Sequence, residues 1–285
     1  MDGTLHTTEA SGTLTMRSRA LIPPLRLLRP RTTEEAVAML REPGAIAMAG
    51  GVEVIAALKS GGPQRTVVVL RGLPGVDRIE VVEDAVRLGA LATHEAVVRD
   101  ALLREAVPGF AETWGSVANV RIRNQGTLAG CLIAAAPHYD APPALAALDA
   151  RLICRVGDET VCLPWHAPRG LVLALDLPRG TRFAHDRSLR PWLLVSAAAR
   201  LDAGRVRWLR LAAAGPFRVG AAEDVAGAEG LDGPALARHA KHLARAWANT
   251  LPEPDHLVPA SPGPVWRRHA AAVLAARLVA RLADA

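Results

Sequence analysis

A chain of 285 residues that is 50% hydrophobic and 22% charged carries enough apolar side chain for a substantial core and has room for two modest domains. No run reaches the roughly 18 consecutive apolar residues that cross a bilayer, the polar start (Asp2, Thr4, His6, Glu9) lacks the basic flank and apolar centre of a secretory signal, and the cysteines, Cys131, Cys154 and Cys162, have no metal-cluster spacing. The formal charge of +6 comes from scattered arginines, with one Tyr and three Phe to stack on bases, so a cytoplasmic protein with no membrane span and no nucleic-acid partner is expected.

Residues 1–20 read as a disordered extension. Thr32 followed by Glu35 is a capping-box pattern, and Ala36, Val37 and Leu40 recur at helical spacing up to Pro43-Gly44. Ala45–Ala49 is a short apolar strand, Gly50-Gly51 a turn, and Val52–Lys59 a helix with Val54, Ile55 and Leu58 on one face. A strand to Leu70 completes a compact α/β unit. Ile79–Val82 and Val86–Leu88 form a hairpin across Glu83-Asp84. A helix follows over Thr93–Ala106, another within Phe110–Ile122, a loop at Asn124–Gly130 and a helix over Pro142–Leu148. Arg151–Val156 and Val161–Leu163 form a second hairpin, Leu171–Leu177 a further strand, and the Pro, Gly and Arg rich stretch Pro178–Pro191 a boundary. Beyond it lie strands at Trp192–Leu201 and Val206–Leu211 and alanine-rich helices at Pro234–Asn249 and Pro264–Ala283.

Chemistry enters through glycine. Gly50-Gly51 joins a strand to a helix, where free backbone N–H groups and the helix dipole favour a phosphate, although most such pairs are tight turns and this one has neither dinucleotide-fingerprint spacing nor a P-loop lysine. A second turn, Gly126-Thr127-Leu128-Ala129-Gly130, precedes Asp140. Two such turns can hold two phosphates, while Asp140 suits either a ribose hydroxyl or the cap of the next helix. His239 and His242 stand three apart without a third metal ligand and read as a solvated helix face. His94 and His138 are isolated, and no hydrolytic apparatus is present.

In order and spacing, several blocks resemble one family along nearly the whole chain. Leu21-Ile22-Pro23-Pro24, Arg29-Pro30 and Thr33-Glu34-Glu35-Ala36 look like its opening, Ala49-Gly50-Gly51-Val52-Glu53 like its first flavin loop with Lys59 after it, and Leu88-Gly89-Ala90 with Thr93-His94 like its next block. Ile122-Arg123-Asn124-Gln125 running into Gly126–Gly130 resembles its second flavin loop, Leu194–Ala198 and Trp266-Arg267-Arg268-His269 its C-terminal domain. This is the group of flavin-binding medium subunits of xanthine dehydrogenase and carbon monoxide dehydrogenase, which are molybdenum hydroxylases.

The resemblance implies an α+β protein: a PCMH-type FAD-binding domain over 21–185, made of two α/β subdomains (about 21–75 and 76–185), and a domain of three antiparallel strands with helices over 188–285. FAD would lie extended between the subdomains. Ala49, Gly50, Gly51, Val52 and Glu53 on one side and Thr127, Ala129, Gly130 and Cys131 on the other would hold its pyrophosphate region, the amides of Gly50, Gly51 and Gly130 foremost. Val117, Ala118 and Ile122 would line the adenine end, Ile133 would face the flavin ring, and Asp140 would bind a hydroxyl of the cofactor. The implied function is electron transfer within an oxidoreductase complex, from a 2Fe-2S small subunit and a molybdenum-cofactor large subunit through FAD to an acceptor. No catalytic or metal-ligating residue is expected on this chain itself. Val52, Ala129 and Cys131 stand where the family usually has Thr or Ser, Gly, and Asn or Ser. Each lost polar contact costs roughly 0.5–1.5 kcal/mol, and a left-handed backbone at Ala129 would add about 1–2 kcal/mol. A basic residue usual after the FAD-binding region has Arg182 and Arg187 as candidates. Two other readings remain at this stage: a scaffold subunit of such a complex that has lost FAD, and a polyanion-binding protein.

Overall fold

The computed structural model describes residues 21–22, 24–61, 66–134, 139–188, 193–215, 223–252 and 263–284. The expected extension over 1–20, and Pro23, His138, Pro191 and Trp192, lie outside the described residues.

The first unit contains β1 (Arg26–Leu28), α1 (Thr33–Leu40), β2 (Ile46–Met48), α2 (Val52–Lys59) and β3 (Thr66–Val69). Thr32 caps α1 as its pattern implies, its Oγ1 accepting from the Glu35 N–H at 3.1 Å, while the Glu35 carboxylate reaches back to the Arg31 N–H at 2.7 Å. The strands form a parallel sheet in the order β1-β3-β2. Its central strand is buried on both faces, which accounts for an unbroken valine run in place of alternation: Val68 packs with Ala36 of α1, and Val67 and Val69 pack with Leu58 of α2. β1 was not anticipated, because three residues among prolines and arginines carry no periodicity.

The second unit has an antiparallel sheet in the order β4-β5-β8-β6-β7, built from Ile79–Val82, Ala85–Gly89, Leu171–Pro178, Arg151–Val156 and Glu159–Pro164 respectively. Among the described residues between β5 and β6 run six helices: α3 (His94–Arg99), α4 (Ala101–Ala106), α5 (Phe110–Trp114), α6 (Val120–Arg123), α7 (Leu128–Ala134) and α8 (Ala141–Leu148). The single helix expected over Thr93–Ala106 breaks at Asp100, whose extended backbone ends α3 and whose carboxylate accepts from the Leu103 N–H to start α4. Phe110–Ile122 likewise splits into α5 and α6, and the loop expected up to Gly130 already contains the first turn of α7.

The third unit is an antiparallel sheet, β12-β11-β10-β9, from Glu223–Asp224, Arg205–Ala214, Leu194–Asp202 and Thr181–Arg187, covered by α9 (Gly233–Thr250) and α10 (Pro264–Asp284). The stretch expected as a boundary therefore carries β9, and this sheet begins at Thr181, ahead of residue 188. Three antiparallel strands were expected; the sheet has β9, β10 and β11 and, at its edge, the two-residue β12. Ala203 and Gly204, both left-handed (φ 47° and 76°), turn β10 into β11 as a tight hairpin requires. β10 alternates between two cores: Val195, Ala197 and Ala199 face α9 and α10, while Ala198 joins the second unit's core. All eight residues of α8 are buried. Its alanines let that helix sit between the third sheet and the second unit, placing Asp140 at the seam. Among the described residues, no helix is long and apolar enough to cross a membrane.

Candidate functional site

The two glycine turns meet. An ideal Cβ on Gly50 would stand 1.6 Å from the Gln125 carbonyl oxygen, so only a glycine lets the β2–α2 turn press against the chain entering the second turn. A cleft of about 280 Å³ opens at this junction, lined by Ala49 and Gly50 from the first turn, Gln125 and Thr127 from the second, and Arg71 and Asp77 from the chain between β3 and β4.

Gly51, left-handed at φ 82°, begins α2 and offers no side-chain cap. The N–H groups of Gly50, Gly51, Val52 and Glu53 thus have no acceptor among the described residues. By contrast, Thr32, Thr93 and Asp232 cap α1, α3 and α9 with side-chain oxygens. A capless helix whose lead-in residue Gly50 lines a cleft is a ready anion site, since the dipole and the orphan donors point the same way.

The second turn is arranged differently. The Thr127 Oγ1 accepts from the Gly130 N–H at 3.0 Å, so the Gly130 amide, expected as a free donor, is already engaged. Thr127 is buried, and it pairs with Thr93 across an isolated bridge while the His94 N–H donates to the Gly126 carbonyl at 2.9 Å. Ala129 has helical rather than left-handed backbone and packs in the core, so the strain anticipated there does not arise. Cys131 is a neutral thiol, pushed up to about 12 by burial. Val52 occupies the first position of α2, where its apolar side chain leaves the backbone donors intact.

The other expected residues are distributed as follows. Val117 is buried in the core, Ala118 is exposed with φ 53°, and Ile122 is half-buried. Arg123 steadies that loop by donating to the Val117 carbonyl at 3.2 Å and to Glu95 at 3.0 Å, and these contacts with Arg123 and Arg99 hold the Glu95 carboxyl below the usual range. Ile133 is 55% exposed, an apolar side chain free to meet a flat ring. Glu53 accepts a hydrogen bond from the Tyr139 hydroxyl, a link between the first unit and the second that no sequence pattern signalled. Asp140, by contrast, has partners of its own: its Oδ1 accepts from His185 Nε2 at 2.8 Å and both oxygens lie 3.3–3.4 Å from Arg187 Nη1. It makes no cap bond to α8, and a cofactor hydroxyl would have to share the carboxylate. Of the two basic candidates, Arg187 faces this seam, whereas Arg182 donates to the Leu282 carbonyl on α10.

His94 underlies the second turn. Its Nδ1 accepts from the Trp114 indole N–H at 3.1 Å, and burial lowers its pKa from 6.5 to about 4. It is therefore neutral at pH 7 with the proton on Nε2. Because the unfolded chain takes up that proton first, stability is expected to fall as pH drops through 6.5 and to level off near 4, a loss of about 3 kcal/mol. Denaturant titrations at pH 7 and about pH 4.5 measure this, and His94→Gln should flatten the difference.

A family model described as the FAD binding domain in molybdopterin dehydrogenase matches residues 23–167, just over half the chain. The chain belongs to this family. It is similar to the nicotine 6-hydroxylase medium subunit of Paenarthrobacter nicotinovorans, at 32% identity over 113 residues (39% of this chain, 40% of that one). It is also similar to caffeine dehydrogenase subunit beta of Pseudomonas sp. (strain CBB1), at 28% over 131 residues (45% and 44%). The matched segment thus spans less than half the length of these relatives. In fold, the chain is similar to carbon monoxide dehydrogenase from Hydrogenophaga pseudoflava, with a TM-score of 0.75 at 18% identity over 91% of this chain and 97% of that one. The cofactor of the family is FAD, and the residues here fit it: the glycine contact at Gly50, the capless α2 and the exposed Ile133 are features that a dinucleotide with a flat ring uses.

Proposed function

We propose that this chain is the electron-transfer subunit of a molybdenum hydroxylase complex in the cytoplasm, bound to a 2Fe-2S subunit and a molybdenum-cofactor subunit and passing electrons through FAD to an acceptor. The observation that carries the reading is the capless first turn of α2, pressed against the second glycine turn at the mouth of a cleft. FAD, when bound, supplies the redox chemistry, accepting electrons singly or in pairs.

The chain's own residues do the holding. Gly50, Gly51, Val52 and Glu53 present N–H donors to the diphosphate, and Thr127, with its hydroxyl tied to Gly130, forms the facing wall. Val117, Ala118 and Ile122 border the adenine end, with Ala129 and Cys131 behind the second turn. Ile133 offers the apolar face for the ring, and Asp140 anchors the loop beside it. The Tyr139–Glu53 hydrogen bond holds the two subdomains together on either side of the cleft. Some of the arginines that make the chain basic are held by carboxylates, as in Arg87–Asp176, Arg123–Glu95 and Arg210–Asp224.

The complex purified from its host is expected to show flavin absorbance beside iron–sulfur bands and to release FAD on denaturation. Iron–sulfur centres without flavin, together with no uptake of added FAD, would replace this reading with that of a scaffold subunit.

A further inference from the structure

The cleft has a wall that none of the expected site residues supplies. Arg71 and Asp77, in the connection from β3 to β4, line it together with Gly50, Gln125 and Thr127. Arg71 is exposed and has no ion-pair or hydrogen-bond partner among the described residues, and neither does Asp77. Arg87, Arg123 and Arg187 behave otherwise, each holding a carboxylate. Among the residues lining the cleft, Arg71 is the cation and Asp77 the carboxylate.

The chemistry of the site calls for such a pair. A diphosphate carries two negative charges, and of the glycine amides expected to meet it those at the start of α2 are free while the Gly130 amide is engaged by Thr127. Partial charges at a helix end do not neutralise a dianion, whereas a guanidinium fork matches phosphate oxygens in pairs. A carboxylate on the same wall is acceptor-only, so it suits a sugar hydroxyl and disfavours a phosphate at its own position. We propose that Arg71 binds the diphosphate of FAD across the cleft from α2, and that Asp77 accepts a hydrogen bond from the adjoining sugar-chain hydroxyl. This rests on the FAD reading above.

The test is titration of the full-length chain, freed of flavin, with FAD at several salt concentrations, followed by flavin fluorescence. Arg71→Gln is expected to weaken FAD at least tenfold and to flatten the salt dependence of its affinity, because a charge pair with phosphate is lost. Arg71→Lys should recover much of the affinity and the salt slope. Asp77→Ala should weaken binding three- to tenfold with the slope unchanged. Both side chains are exposed and unpartnered, so the variants fold, and unchanged circular dichroism verifies it. Arg71→Gln binding within twofold of the parent chain, with an equal slope, overturns the role of Arg71 while leaving the FAD reading standing. Tighter binding by Asp77→Ala overturns the hydroxyl contact. A parent chain that takes up no FAD at any salt concentration removes this inference and the FAD reading together.

Discussion

Gly50→Ala is expected to abolish FAD binding, although it adds a single methyl group. The added Cβ would lie 1.6 Å from the Gln125 carbonyl oxygen and 2.5 Å from its carbon. Both are backbone atoms, so no side-chain rotation relieves the clash and the two turns must move apart. Overpacking of this kind costs about 1–3 kcal/mol in stability. The larger effect is on the cleft, whose donors and facing wall separate, and a hundredfold loss of affinity (about 2.7 kcal/mol) or more is expected. Gly51 differs. There a Cβ meets only side-chain atoms, Ile55 Cδ1 at 3.1 Å and Met48 Sδ at 3.3 Å, and the left-handed backbone is the main obstacle. Gly263→Ala, where a Cβ meets nothing within 4 Å, is the control. Equilibrium titration with FAD of the three proteins decides the matter, and retention of parental affinity by Gly50→Ala would remove the turn-to-turn contact from the account.

The second large effect is at Asp140. Its carboxylate is the hub of a buried chain of hydrogen bonds: Ser196 Oγ and His185 Nδ1 share one at 2.8 Å, His185 Nε2–H donates to Asp140, and Arg187 closes the far side. The side chains of His185 and Asp140 are 2% and 7% exposed. Removing the carboxylate leaves an imidazole N–H and a guanidinium without their acceptor at the seam between the second and third units. Truncating one partner of a buried pair typically costs about 3–5 kcal/mol, so Asp140→Ala should lose stability on that order whether or not FAD is present. Burial raises the Asp140 pKa, but the hydrogen bond and charge of His185 and the charge of Arg187 outweigh it, and the carboxyl stays below its ordinary 3.8. The stabilisation is therefore complete above pH 3.8 and is lost as pH falls through the lower folded-state value. Denaturant titrations should show the variant's deficit shrinking in acid. A deficit under about 1 kcal/mol at pH 7 would mean that water replaces the carboxylate at the seam.

How much of this was legible beforehand depends on the range of the interaction. The Thr32–Glu35 box, the strand, Gly-Gly turn and helix of the first unit, and the alanine-rich C-terminal helices all rest on contacts within a few residues, and the chain displays them directly. The breaks at Asp100 and after Trp114 were missed because the helical spacing continues across them. Only the side-chain caps at Asp100 and Asn119 and the left-handed Ala118 show where the chain bends. β9 was taken for linker because Pro178, Arg179 and Gly180 look like one. It is a strand because β10 offers it an edge.

By itself the sequence determined the two flavin-type turns, the α/β character and the family resemblance, since glycine placement and local periodicity are written in adjacent residues. Only the tertiary structure decided that Gly50 touches Gln125, that Gly130 is already bonded, that Asp140 is shared with His185 and Arg187, and that Arg71 and Asp77 share the cleft. In the cases of Gly50, Asp140 and the cleft wall, the deciding partner lies tens of residues away, and the choice of partner is made by packing and burial, which no local pattern encodes.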